Sequence, residues 1–360
     1  MKKKLLDKYI IKNFLSKFLL IMTSFVTVFT VVDIIDNIDK FIEHNVDNNE
    51  IFLYYLYTLP WYLSLALPMT LLISTVLCFS ILQKNQEITA MKASGLSIYR
   101  ISSPIIICGV IFCFISFFFD NLIVVNSMQN RSIIEKKIKP NYQFNNNKRN
   151  NIYYHLDNSF LTIKKYNYKN DSAHNISIQT YEGSDLTSRF DAKYMIWNEH
   201  EKSWEFKDVK LRKWIKNHYK YSSLLDTSFQ IKDINPEIIK SDIIDPEEMN
   251  YWELKDFIFK LKDKGLDYNR WAVNKHFKTG FACSSIIMII FGIVLSIQKP
   301  RSNFATGIGL SMAIIFLYYL FIKTGQTIGY NNILPPFLAI WLVNFIFLFI
   351  GTYLFINSRT

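Results

Sequence analysis

Apolar residues are clustered along this chain. Long Phe, Leu and Ile runs fill both ends, and Asn, Lys, Asp and Tyr dominate the stretch between them. A soluble core spreads its apolar residues, whereas membrane spans concentrate them. The first run predicts a span over Ile10–Val32, entered without a small-x-small cleavage site and therefore read as uncleaved. The second run, Ile51–Leu82, would measure about 48 Å as one helix, against a hydrocarbon core of about 30 Å. Pro60 removes a backbone donor and clashes one turn back, so the expected break lies there. That leaves Ile51–Leu59 at an interface and a span over Trp61–Leu82. A third span runs from Ile101 to Asp120, and three more cover Gly280–Ile297, Phe304–Thr324 and Pro336–Phe355.

The middle reads differently. Ile152–Leu156, Phe160–Tyr166, Ile176–Tyr181, Phe190–Trp197 and Trp204–Trp214 are short, partly alternating and rich in Tyr, Ile and Trp. Asn/Asp/Gly/Ser clusters separate them, as in an antiparallel sheet, sandwich or jelly roll. Asp245-Pro246-Glu247-Glu248 then offers a helix start, with Trp252, Leu254, Phe257, Ile258 and Leu261 at helical spacing and Gly265 as a stop. The expected class is α+β. Residues 1–126 form helices one to three, with a polar helix at 85–95 between the second and third. Residues 127–270 form the β domain, ending in a helix at 246–264. Residues 271–360 form the last three spans.

Charge fixes an orientation. Lys2–Lys4, Lys84, Lys92, Arg100, Lys299, Arg301 and Arg359 fall on one side, while Asp33–Glu50 carries six acids against Lys40 alone. The positive-inside rule makes both termini cytoplasmic and the β domain extracytoplasmic. The net charge of +11 is dispersed, with no Lys/Arg block five or more long, so no nucleic-acid partner is expected. Cys78, Cys108, Cys113 and Cys283 all lie in apolar runs and read as small buried apolar residues, not a disulfide framework.

Several chemistries lack support. There is no Walker A pattern, no His-Glu-x-x-His pair, no Gly-x-Ser-x-Gly elbow, and six scattered histidines without metal-ligand spacing. No catalytic residue, metal or cofactor is expected. The centres of the six spans carry no charged residue or histidine, although ion-coupled transporters keep such groups there. If the protein moves a substrate, a partner supplies the energy.

The stretch Ala66–Arg100 carries most information. A polar helix over Asn85–Ser94, stopped at Gly95, separates two spans. Such a helix can dock on a cytoplasmic ATPase, with Glu87 as contact and Lys92 and Arg100 beside it; it can equally be a solvated amphipathic link. Pro-Met-x-Leu-Leu from Pro68, followed by Asn-x-Glu-Ile-x-Ala-Met-Lys-Ala-Ser-Gly-Leu-Ser from Asn85, resembles the LptF/LptG permeases of lipopolysaccharide export. Leu6–Ile10, Pro246–Gly265 and Leu334–Asn344 are similar to further segments of that family, in order. The opening segment and Val31–Phe41 look more like LptG than LptF.

The resemblance implies a half-transporter, not an enzyme. It would sit in the inner membrane of a Gram-negative-type bacterium, with a periplasmic jelly-roll-like domain. The implied partners are an LptB-like ATPase dimer, a second LptF/LptG-type permease, LptC/LptA-like periplasmic jelly-roll proteins, lipopolysaccharide and membrane lipids. Glu87, Lys92, Ser94, Gly95 and Arg100 then fall in the ATPase-coupling link. An anionic, multi-acyl substrate needs cations above apolar surface. Lys40 and Lys323, at span ends, and Phe41 are the candidates, with Leu161 for an acyl groove in the β domain beside Ile163 and Tyr153. The plainer alternatives are lysines that snorkel to ordinary headgroups and apolar residues that form sheet core. An alternative function is a non-transport protein that relays ATPase motion to a periplasmic partner. It would not need a lipid-sized cavity between the first and fifth spans.

Overall fold

The computed structural model describes residues 2–44, 46–138, 149–156, 159–167, 170–183, 185–199, 203–215, 218–229, 236, 246–263, 268–297 and 304–357. The chain divides into two compact units, Met1–Ile138 with Asp245–Thr360, and Lys139–Ile244.

The first unit is helical: α1 (Lys2–Glu43), α2 (Asn48–Lys84), α3 (Glu87–Ala93), α4 (Ile98–Phe119), a π-helical turn (Asp120–Val124), α5 (Val125–Ile138), a 3₁₀ turn (Pro246–Glu248), α6 (Tyr251–Asp263), α7 (Asn269–Ile297), α8 (Phe304–Tyr330) and α9 (Pro336–Ile356). Among the described residues, six helices are long and apolar enough to cross a membrane. Two are central. The apolar windows of α2 and α7 are each 72% buried within the chain, against 17%, 22% and 28% for α1, α8 and α9. Small residues let the central pair touch: a Cβ on Gly292 would stand 2.7 Å from Cβ of Thr75. The outward faces of α1, α8 and α9 expose Leu19, Leu20, Phe316, Phe321 and Phe349, as lipid-facing surfaces do.

Three sequence expectations are corrected here. Pro60 does not break α2; both Pro60 and Pro68 lie inside one 37-residue helix. Neighbouring helices hold the chain helical past the proline. The first helix does not end at Val32 with the expected span; α1 continues through the acidic segment to Glu43. Asp33, Asn37 and Phe41 recur every four residues. Asn37 donates to the Asp33 carbonyl at 3.0 Å, and Phe41 packs on Tyr54 and Tyr55. The helix expected from 246 starts later. Asn250 is its N-cap, with Oδ1 accepting from the amides of Trp252 (3.0 Å) and Glu253 (2.9 Å). The Glu253 carboxylate reaches back to the Asn250 amide at 2.9 Å, a reciprocal capping box that outcompetes a Pro-led start. This helix belongs to the compact unit of the membrane helices. Tyr251 donates its amide to Asn121 Oδ1 at 2.7 Å, and Phe117 packs edge-on against Tyr251 and Trp252. Asp245 and Gly265 lie outside the described residues.

The second unit is one antiparallel meander: β1 (Arg149–Leu156), β2 (Ser159–Asn167), β3 (Ser172–Glu182), β4 (Asp185–Asn198), β5 (Ser203–Ile215) and β6 (His218–Phe229), paired in sequence order. β6 was not anticipated, since His218–Ser223 is polar. Side chains on a strand alternate faces every second residue. Here the buried positions slip by three in each inner strand: Ile163 to Tyr166, Ala173 to Ile176, Ala192 to Met195, and Phe206 to Val209. The slips fall on one row across the sheet, at Lys164, Asn175, Lys193 and Asp208, which the pairing skips. Asn175 and Asp208 take positive φ there, 52° and 55°. The register is the same on both sides of the row, so no strand gains a residue there; the row marks a line across the sheet along which the buried face switches. The sheet also curls across its strands. Tyr166 and Trp204 lie three strands apart, about 14 Å in a flat sheet, yet their ring centroids are 6.5 Å apart. A single meander thus closes over its own apolar face, as the expected sandwich or jelly roll would.

Candidate functional site

The link between α2 and α4 is sharply defined. Asn85 caps α2, Gln86 turns the chain with φ 61°, and α3 follows. Gly95, with φ +85°, closes α3. Its amide bonds the Lys92 carbonyl at 2.9 Å and the Leu96 amide bonds the Met91 carbonyl at 3.1 Å, a Schellman ending. Ile88 is the buried anchor of α3, packed with Leu82, Ile101 and residues of α1. Ser97 caps α4 by accepting from the Arg100 amide.

The predicted link residues divide. Glu87 is held within the chain: Tyr9 Oη donates to its Oε2 at 2.8 Å and Asn85 Nδ2 to its Oε1 at 3.2 Å. Arg100 grips Asp7 through two contacts, 2.8 and 2.9 Å, and so ties α4 to α1. Lys92, Ser94 and Gly95 lie on the exposed rim of α3, with the Ser94 hydroxyl turned to the Met91 carbonyl. Tyr9 and Asp7 had no sequence signal beyond the family-like Leu-Asp-Lys-Tyr segment.

At the other end of α1, Lys40 donates to Asn37 Oδ1 at 3.0 Å. Phe41 is only 5% exposed and belongs to a cluster with Tyr54 and Ile134. Arg131 reinforces that cluster, donating to Tyr54 Oη at 2.7 Å with its guanidinium over the Tyr54 and Trp61 rings. In the sheet unit, Leu161 is fully buried core beside Ile163. Tyr153 pairs with Thr162, and its side chain lies outside the described residues.

Lys323 sits elsewhere, at a cavity of about 170 Å³ between α2, α4, the π turn, α5, the 3₁₀ turn, α7 and α8. Helix α1 takes no part in its lining. Its walls include Trp61, Leu65, Phe277, Phe281 and Tyr319, and its charged residues are Asp120, Glu247, Lys278 and Lys323. Lys278, almost fully buried, donates to Asp120 Oδ2 at 3.0 Å. Ser64 approaches the other carboxylate oxygen at 3.5 Å. Asp120 opens the π turn, a distortion often found at functional sites. Lys323 donates to Gln326 Oε1 at 3.1 Å and stands over the Phe277 ring. Gln326, Asn274 and Tyr330 form a triangle of hydrogen bonds behind it, 2.6 to 3.1 Å. The Tyr319 hydroxyl ties α8 to α2 through the Leu65 carbonyl at 2.7 Å. The expected spans put Asp120 at the end of the third and Lys278 two residues before the start of the fourth. Their opposite charges at facing span ends were the available signal for the pair.

Among the described residues no group of three or more His, Cys, Asp or Glu side chains could hold a metal ion. The arrangement offers an exposed helical link at one end and an amphipathic, charge-lined cavity at the other. In comparison with known proteins, the family model for the lipopolysaccharide export system permease LptF/LptG matches residues 8–357. No curated protein matches the chain.

Proposed function

The chain belongs to the LptF/LptG family of lipopolysaccharide export permeases, and on that premise we propose that it is the transmembrane half-subunit that turns ATP hydrolysis by a partner into lipid extraction. A second LptF/LptG-type permease completes the membrane body, an LptB-like ATPase dimer drives it, and LptC/LptA-like periplasmic proteins receive the lipid. Both termini face the cytoplasm and the β domain faces the periplasm.

The observation that carries the coupling role is α3 itself: a short helix, closed at its C-terminus by the Gly95 turn, anchored by Ile88 and presenting Lys92, Ser94 and Gly95 outward. Glu87 enters the ATPase contact by exchanging Tyr9 and Asn85 for a cation of the partner. Arg100 acts differently from the sequence expectation; it braces α4 on Asp7 and so makes α3, α4 and α1 move together. Lys40 and Lys323 reach lipid phosphates. Phe41 and Leu161 keep packing roles, since each is buried among its own neighbours.

The test is co-purification. The solubilised complex of a Glu87→Arg chain loses its ATPase, while Tyr9→Phe, which removes only one of the two donors on the carboxylate, retains it. An unchanged ATPase stoichiometry in Glu87→Arg, with ATP-dependent lipid release intact, would sink the coupling assignment.

A further inference from the structure

The cavity beneath Lys323 has a charge pattern that selects its occupant. Four charged residues line it, two of each sign. Lys278 and Asp120 neutralise one another at 3.0 Å. The remaining two do not pair. Lys323 gives one of its three donors to the Gln326 carbonyl oxygen and rests on the Phe277 face. Glu247 is exposed and makes no hydrogen bond or ion pair among the described residues. An unneutralised cation and an unneutralised anion therefore share one small, partly apolar space.

A purely anionic ligand would meet Lys323 favourably but face the Glu247 carboxylate; a purely cationic one would suffer the reverse. A zwitterion satisfies both. The volume of about 170 Å³ resembles the roughly 150 Å³ cavity that admits one benzene ring. It suits a headgroup and excludes a multi-acyl body. Beside it, α8 exposes Phe316, Leu317, Leu320 and Phe321, an apolar face along which acyl chains can lie. We propose that the cavity binds a phosphoethanolamine headgroup of a membrane lipid, with the phosphate on Lys323 and the primary ammonium on Glu247. Lys278 and Asp120 hold the floor and stay paired. The assignment rests on the lipid-phosphate role proposed above for Lys323, but binding is measured without ATP hydrolysis, so its failure is distinguishable from a failure of the coupling.

The headgroup can come from an ordinary phosphatidylethanolamine or from a glycolipid decorated with phosphoethanolamine. The experiment is native mass spectrometry of the full-length chain, purified with whatever subunits it retains, against four probes: phosphatidylethanolamine, phosphatidylglycerol, and lipid A with and without phosphoethanolamine. Each amine-bearing lipid is expected to exceed its amine-free counterpart roughly tenfold, the scale of one hydrogen bond between charged groups. Glu247→Gln abolishes that preference without lowering phosphatidylglycerol binding, and Lys323→Gln weakens all four probes. The amine-bearing lipid that wins in direct competition identifies the source, and either winner supports the headgroup. Equal capture of amine-bearing and amine-free lipids by the wild type would overturn the proposal. So would a preference that survives Glu247→Gln in a chain of unchanged melting temperature.

Discussion

Removing either member of the Asp120–Lys278 pair should destabilise the helical unit, and the two removals should differ. Breaking a buried ion pair on one side generally costs about 3–5 kcal/mol, because a charge is left without compensation. The Lys278 side chain is 8% exposed and that of Asp120 is 23% exposed. Asp120→Leu strands the more deeply buried ammonium, so it belongs at the upper end, about 4 kcal/mol. Lys278→Met strands a carboxylate that still has Ser64 at 3.5 Å and some solvent, so about 2–3 kcal/mol is expected. The double variant leaves no charge behind, and apolar replacements of a buried pair are often neutral. It should melt close to the wild type, giving a coupling energy of several kcal/mol in the cycle. The assay is unfolding of the detergent-solubilised chain, followed by tryptophan fluorescence, for wild type, both singles and the double. Additive singles, or a Lys278→Met variant less stable than Asp120→Leu, would refute the claim that this pair is buried, charged and mutually dependent.

Other outcomes follow from close approaches and backbone geometry. A Cβ on Gly325 would strike the Ala339 carbonyl oxygen. Gly325→Val should therefore separate α8 from α9 and sharply lower the yield of folded protein, while Gly309→Ala, with nothing within 4 Å, should be silent. Gly95→Ala pays only for its left-handed φ of +85°, since no atom crowds it. About 1 kcal/mol is expected, together with faster amide exchange at Leu96. In the sheet, Asn175→Val places a β-branched residue at φ 52°. It should lower the melting temperature of the β domain in the intact chain, whereas Asn175→Gly should preserve it.

Much of the architecture was legible because lipid imposes a coarse code. About twenty apolar residues make a span, and six such runs gave six helices, although α1, α2 and α7 extend well beyond the expected spans. Errors came where tertiary packing overrode a local rule. Pro60 reads as a stop, yet α2 runs through it because α1, α5 and α7 flank it. Asp33–Lys40 lies beyond the expected first span, yet the spacing of Asp33, Asn37 and Phe41 puts one stripe against Tyr54 and Tyr55. For the sheet, alternation located five strands but could not reveal their coordinated slips. A slip of three shows only when several strands slip in register, and register is a long-range property. The link around Glu87 was legible because its turn residues, Asn85 and Gly95, are local signals. The cavity was not, because Ser64, Asp120, Glu247, Lys278 and Lys323 come from five separate segments, each unremarkable alone.

The link and the cavity are joined by continuous helix. Helix α2 runs from Ser64 on the cavity wall to Lys84, next to α3. Helix α4 runs from Ile98, just after α3, to Phe119, next to Asp120, about 33 Å along its axis. Under the proposed coupling, a push on α3 would reach both helices at once, and Arg100 would carry it into α1 through Asp7. Both helices stay helical past an interior proline, Pro68 in α2 and Pro104 in α4, and α4 leads directly into the π turn that begins with Asp120. There the carboxylate is clamped by Lys278 on α7, while the Tyr319 hydroxyl clamps α8 to α2. Both clamps lie in the cavity wall, so under the proposed coupling α7 and α8 would have to follow α2 and α4 for the cavity to keep its shape. Replacing Asp120 and Lys278 together by apolar residues therefore tests more than stability. A chain that folds normally with an apolar pair, but no longer couples ATP hydrolysis to lipid release, would locate the transmission at this clamp. A fully coupled double variant would move it to the Tyr319–Leu65 contact.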